Sequence, residues 1–318
     1  MAQPALRAYQ HGIYPRSERL VQATRDLDRG RTTPEAVHDA FEQDRTDFLQ
    51  LQRAANLDLV SDGLLRWQDL FRPLVDGSNG LEAQVLVRWF DNNSFFRAPQ
   101  VTGPPALGDL PPWVLQNGIP QPRVASLPSP FLFSRAVETD RDRDDLMRGL
   151  ANDVLAPTVR QLVSRGHDLI HLEEPWLPYF GIDESSWAPL ERALSSIKEA
   201  AGDATVVFHC YYADVAPLAD RLRGLPVDAI GIDFDETDLD DLPAPWGTGL
   251  VAGVLDGRRS VVESAPDVAA FASAVAERLE PTELFLSSGS ELELAGPQVA
   301  PKKVRVLGEA ARLLREAS

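Results

Sequence analysis

An α/β fold, and within it a single (β/α)8 TIM barrel, is what this sequence predicts. Three observations carry the prediction. Short apolar runs alternate with amphipathic stretches of helical period, which implies a parallel sheet under a helical cover. About eight such units in roughly 250 core residues suit a closed barrel better than an open sheet. An open dinucleotide-binding sheet needs a glycine-rich turn after its first strand, and His11-Gly12-Ile13-Tyr14-Pro15-Arg16 is not one. No internal repeat, low-complexity tract or linker divides the chain, so residues 1–318 read as one domain.

The elements follow in order. Thr33 is a candidate N-cap and Pro34 a first-turn residue for a helix over Pro34–Ala55. Leu57–Ser61 and Val85–Phe90 follow as strands. From Pro99 to Pro130 prolines crowd the chain, which predicts a long ordered loop after strand three. Phe131–Ser134 is the next strand, and a helix over Asp144–Arg165 stops at Gly166. Strand Asp168–Glu173 leads to helix Ser185–Ala201, closed by Gly202, and then to strand Thr205–His209. Helix Ala213–Arg223, strands Ala229–Phe234 and Gly249–Val254, helix Pro266–Leu279, strand Leu284–Ser287 and helix Pro301–Arg315 complete the pattern.

Composition bounds the function. A net charge of −17 and a pI near 4.7 disfavour nucleic acid and anionic membranes as partners, yet leave room for a locally basic pocket. Cys210 is the one cysteine, so no intrachain disulfide forms. Met1-Ala2-Gln3-Pro4 opens no signal peptide, and no apolar run approaches the ~18 residues that span a bilayer. The expectation is a cytoplasmic monomer or homodimer that acts on a small molecule.

Catalytic groups of such barrels sit at the C-terminal strand ends, and here those ends are polar. They read Ser61-Asp62-Gly63, Arg88 to Asn93, His171-Leu172-Glu173-Glu174-Pro175, His209-Cys210-Tyr211, Asp233-Phe234-Asp235-Glu236 and Ser287-Ser288-Gly289-Ser290. A strand repeats every two residues, so His171 and Glu173 share one face. If that face is the barrel interior, His171, Glu173, His209 and Asp233 converge. Cys210 alternates away from His209, as a small packed residue would. Asp233 lies between Ile232 and Phe234, and a buried acid needs a partner whether its role is structural or functional. Asp235 to Asp241 read as a solvated acidic loop.

In this order the strand ends resemble the cobalamin-independent methionine synthase family. Tyr14-Pro15-Arg16 is similar to its opening, Ser61-Asp62-Gly63 to its Asp-Gly-Glu segment, and Arg88 to Asn93 to its Trp-Phe-Asp-Thr-Asn segment. Leu172-Glu173-Glu174-Pro175, Leu225 to Asp233 and Ala252 to Arg258 add further matches in register. The full-length enzymes carry two related barrels, and this chain has length for one. The resemblance implies a (β/α)8 barrel, zinc that activates a thiol as thiolate, and a methyl-folate as co-substrate. It makes His209, Glu173 and Asp233 the expected catalytic residues. Asp62, Arg66, Asp91, Asn93, His171, Glu174, Tyr211 and Ser290 are expected to bind substrate.

The family's zinc set is His-x-Cys, a Glu on the next strand and a late Cys. Here His209 is kept, Tyr211 stands at the first Cys, Asp233 at the Glu and Ser290 at the second Cys. Cys210 could join His209 and Asp233 as a metal ligand only through a one-residue shift. Leu64 replaces the Glu of Asp-Gly-Glu.

Three readings follow. The first is a methyltransferase that moves a methyl group from a folate-type donor to a thiol such as homocysteine, with Trp89, Trp176 or Trp246 stacking the pterin. The second is a diverged enzyme on the same barrel. There His209, His171 and Glu173, with His11 or Asp233, hold iron through nitrogen and oxygen. Alternatively His209 and Glu173 work without metal as a lyase or decarboxylase. The third is a ligand-binding paralogue without turnover.

Overall fold

The computed structural model describes residues 5–115 and 118–317, so Met1–Pro4 lie outside the described residues. Its strands are β1 (Leu6–Ala8), β2 (Ser78–Arg88), β3 (Phe95–Leu107), β4 (Val124–Pro128), β5 (Leu169–Glu174), β6 (Thr205–Cys210), β7 (Ala229–Asp233), β8 (Gly249–Gly253) and β9 (Leu284–Ser287). Seven of them form one parallel sheet in the order β1-β9-β8-β7-β6-β5-β4. Backbone bonds bridge the gap between β4 and β1. Asp58 N donates to Ala8 O at 2.8 Å, Val60 N to Pro122 O at 3.0 Å, and Val124 N to Val60 O at 2.9 Å. Residues 58–60 thus take the eighth place and close the ring.

Strand alternation then sorts the side chains into two cores. Tyr9, Leu59, Val124, Leu169, Val207, Ala229, Val251 and Phe285, one from each place in the ring, form a closed apolar layer inside the barrel. Their neighbours Ile170, Leu172, Val206, Phe208, Ile230 and Ile232 point outward into the larger core under the helices. The helices meet that core with one stripe each. Val304, Leu307, Ala311 and Leu314 of helix Ala300–Glu316 repeat at three- and four-residue steps and are all buried. Each Val or Leu side chain so removed from water contributes about 1.5–3 kcal/mol.

The structure corrects several expected elements. The barrel's first strand, β1, was not among those read from the sequence. Leu57–Ser61 makes a single parallel bridge, Val60 to Arg123, rather than a full strand. Of Val85–Phe90 only Val85–Arg88 is strand, the end of β2, which pairs antiparallel with β3 outside the barrel. The stretch from Pro99 to Pro130 is therefore only partly loop: it contains the end of β3 and all of β4, with residues 116 and 117 outside the described residues. Proline survives in β3 because the two-stranded ribbon leaves it an open edge.

Phe131–Ser134 is helical, within Pro130–Ala136. Ser129 caps it by accepting from Leu132 N, and Pro130 sits in the first turn. Six of its seven residues are buried, which erased the helical period from the sequence. The helix expected over Asp144–Arg165 is split by a π-helical turn at Ala151–Leu155, just before Pro157, whose missing N–H breaks the regular ladder. Ala213–Arg223 is reduced to two short turns, Ala216–Leu218 and Ala219–Leu222.

Candidate active site at the barrel mouth

One step above the apolar layer, the same alternation places His11, Ser126, His171, His209, Gly231 and Ser287 inside the barrel. A further step brings Glu173, Tyr211 and Asp233. Three of the chain's five histidines meet there, all fully buried. The rings of His11 and His171 stack at 4.1 Å, and His209 lies 4.7 Å from His11 and 5.0 Å from His171.

Two glycines make this approach feasible. A Cβ on Gly231 would stand 2.3 Å from His209 Cγ, so the ring lies across a strand that has no side chain at that point. Gly12 turns the chain after His11 at φ +66°, where a Cβ would meet Glu291 Cβ at 2.6 Å and Glu173 Oε1 at 3.2 Å.

The hydrogen bonds fix much of the proton inventory. His11 Nδ1 lies 2.9 and 3.1 Å from the two Glu173 carboxylate oxygens, and its Nε2 lies 3.1 Å from the Ser288 carbonyl oxygen. A carbonyl oxygen only accepts, so Nε2 is the donor to Ser288 and Nδ1 is the nitrogen that faces the Glu173 carboxylate. His171 Nδ1 meets the Tyr9 hydroxyl at 2.8 Å, and its Nε2 faces His209 Nδ1 at 3.0 Å. His209 Nε2 has no partner among the described residues. Burial, and then the neighbouring His11, push both His171 and His209 well below the usual imidazole range, so both are neutral near pH 7.

Burial has the opposite effect on the acids around them. Asp233 accepts from Tyr212 N and Asp235 N and is raised to about 7. Glu291 accepts from Ile13 N and is pushed well up by burial and then by the charge of Glu173. Neutral imidazoles beside proton-bearing carboxyls form an acid–base set.

The other expected residues lie elsewhere. Glu174 alternates outward and accepts from Ser129 Oγ, from Leu177 N at 2.7 Å and from Leu132 N at 3.1 Å, so it secures two helix starts. Asp62 and Arg66 line a separate cavity of about 320 Å³ against helix Pro34–Ala54, where Arg66 bonds Glu42 and His38. Burial pushes Asp62 up to about 6. Asp91 and Asn93 are exposed, with Asp91 3.7 Å from Arg258. Tyr211 is buried edge-on to His209, and its hydroxyl has no partner among the described residues. Ser290 is buried against Gly257. Trp246 is a core residue, whereas Trp89, itself largely buried, and Trp176 line a rim cavity of about 440 Å³ with Phe90, Tyr179, Phe180 and Arg135.

Sequence reasoning gave His11 only an alternate role and missed Tyr9 and Glu291. Placing β1 at Leu6–Ala8 would have turned Tyr9 and His11 inward by simple alternation. Nothing in the local pattern marks Glu291, which enters from the turn after β9.

A closed parallel barrel with its titratable groups at the C-terminal strand ends has the architecture of a barrel enzyme. Residues 65–278 match the sequence model of the cobalamin-independent synthase N-terminal domain. The chain belongs to the cobalamin-independent methionine synthase family, and like its relatives it is an enzyme. It is 23% identical over 316 residues to a methionine synthase of Sulfolobus acidocaldarius, covering 96% of this chain and 91% of that protein. It is 28% identical over 213 residues to a 5-methyltetrahydropteroyltriglutamate–homocysteine methyltransferase of Mycobacterium tuberculosis, over 63% of this chain but 27% of that protein. Its fold is similar to a B12-independent methionine synthase of a Shewanella species solved with selenomethionine, at a TM-score of 0.76, 19% identity and 99% coverage of both chains. A methyltransferase of Methanosarcina mazei is more distant, with a TM-score of 0.58, 15% identity and coverage of 99% and 95%.

The family implies zinc held by thiolates, and the donors here do not fit that set. Cys210 is fully buried in the outer core, on the face of β6 opposite His209. The ligand set expected from the sequence, His209 with Cys210 and Asp233, is therefore not brought together. Tyr211 is kept protonated by burial, and Ser290 has no sulfur to offer. No thiolate reaches His209.

Proposed function

We propose that this chain is a cytoplasmic methyltransferase that moves a methyl group from a folate-type donor to a thiol such as homocysteine. The match of residues 65–278 to the family carries the reading. In the reaction a sulfur–carbon bond forms while the donor's carbon–nitrogen bond breaks. The thiol proton leaves, and the donor nitrogen gains a proton. His209 Nε2, unpartnered at the mouth, takes the thiol proton. Asp233 and Glu291, which burial keeps protonated toward neutral pH, supply the proton to the donor nitrogen. Glu173, anchored by His11, offers its charge to an amino-acid ammonium.

The missing thiolate favours a second reading, a lyase or decarboxylase that uses His209 and Glu173 as an acid–base pair on a small acid. Methyl-labelled methyltetrahydrofolate and homocysteine, incubated with the purified chain and followed by mass spectrometry, separate the two. Labelled methionine supports methyl transfer. An unchanged donor with every thiol tried would remove it and leave the second reading.

A further inference from the structure

The inner layer holds more ligand atoms than methyl transfer by acid–base chemistry requires. His11 and His171 touch no substrate in the proposed reaction, yet a ring nitrogen of each lies within 4.8 Å of one of His209. We propose that His11, His171, His209 and Glu173 form a binding site for one divalent first-row transition-metal ion, built from nitrogen and oxygen donors and distinct from a thiolate zinc site.

Spacing is the first argument. Two ligands side by side on an ion, each about 2.0–2.1 Å from it, stand roughly 3 Å apart. His171 Nε2 and His209 Nδ1 are 3.0 Å apart, and His11 Nδ1 and Glu173 Oε1 are 2.9 Å apart. Glu173 Oε1 lies 3.8 Å from His171 Nε2, which joins the two pairs. One ligand atom from each histidine lies within 4.8 Å of the others, and closing them onto one ion requires the stacked His11 and His171 rings to tilt apart.

Orientation is the second argument. A metal-bound histidine usually gives its other ring nitrogen to a carbonyl, carboxylate or hydroxyl, which fixes the ring. His11 gives Nε2 to the Ser288 carbonyl and keeps Nδ1 for the centre. His171 gives Nδ1 to the Tyr9 hydroxyl and keeps Nε2 for it. His209 adds a buried ring nitrogen with no partner among the described residues.

The third argument is ligand type. Three imidazoles and one carboxylate suit zinc, iron, cobalt or nickel, and the set contains no soft sulfur. It differs from the family's positions, because His11 and His171 replace the two sulfur ligands rather than Tyr211 and Ser290. A bound ion occupies the one lone pair of the neutral His209 ring, so His209 serves as base in the methyl-transfer reading only while the site is metal-free; the site's test reads binding and not turnover.

Titration of chelator-treated protein with Co2+ alone tests it. The expected result is saturable uptake of about one ion per chain, with weak visible ligand-field bands and no intense sulfur charge-transfer band. His11→Ala and His171→Ala should each weaken uptake at least tenfold, and Cys210→Ser should leave it unchanged. Circular dichroism reports whether the variants fold. If they do not, the wild-type spectrum decides alone. Absence of saturable uptake by the wild type, a sulfur charge-transfer band, or uptake indifferent to both folded histidine variants would overturn the site.

Discussion

The His209 imidazole crosses its neighbouring strand only because position 231 has no side chain, and Gly231→Ala tests that dependence. A methyl group there would meet His209 Cγ at 2.3 Å, so one of the two must shift. Overpacking of this kind costs about 1–3 kcal/mol, to be read as a lower urea midpoint. Glu174 makes a prediction with a definite sign. Burial raises its carboxyl from 4.5 to about 7, so the folded protein keeps a proton that the unfolded chain has lost. That stabilisation is complete below about pH 4.5 and is lost as pH rises through about 7. Urea unfolding should show stability falling over this range by at most about 1.4 kcal/mol per pH unit for this group, and Glu174→Gln should flatten the slope. Asp233 adds a slope of the same sign, so the flattening is partial. At this scale the sequence was legible wherever period two applied: it placed His171, Glu173 and His209 on one face and turned Cys210 away. Glu173 and Glu174 both looked like site acids, and the same alternation separates them.

Elements were legible where their burial was one-sided. The helices Pro34–Ala54, Trp187–Ala201, Ala265–Leu279 and Ala300–Glu316 lie within about two residues of their expected bounds, because each alternates a buried stripe with a wet face. Phe131–Ser134 misled because burial on all sides leaves no period, and only Ser129-Pro130 marks the helix start. Ser129→Ala should cost about 1 kcal/mol, by loss of the cap on Leu132 N, and a thermal or urea melt checks it. The hairpin of β2 and β3 behaves differently. Val85 and Leu86 are 59% and 61% exposed, so Val85→Lys and Leu86→Lys should each change stability by less than about 0.5 kcal/mol. A large loss in either melt would mean that the hairpin packs more tightly than its exposure shows.

On the scale of the whole molecule, strand–helix alternation declared the barrel, and what it could not declare was the closure. β1 has three residues and the second position has one bridge, too few for any pattern. Tertiary hydrogen bonds, not propensity, define both. The net charge of −17 works against compactness through self-repulsion, so added monovalent salt should raise the melting temperature at neutral pH until screening is complete. No helix among the described residues is long and apolar enough to cross a membrane. The central claim is that chemistry occurs in the inner layer, above the apolar floor and on the opposite face of β6 from the one cysteine. Its most direct test is the rate of labelled-methyl transfer to homocysteine by wild type, His209→Ala and Cys210→Ser, measured under one set of conditions. The account predicts a loss of about 100-fold or more in kcat/KM for His209→Ala and an unchanged rate for Cys210→Ser. A His209→Ala protein as active as wild type, or a Cys210→Ser protein that is inactive while folded, would contradict it.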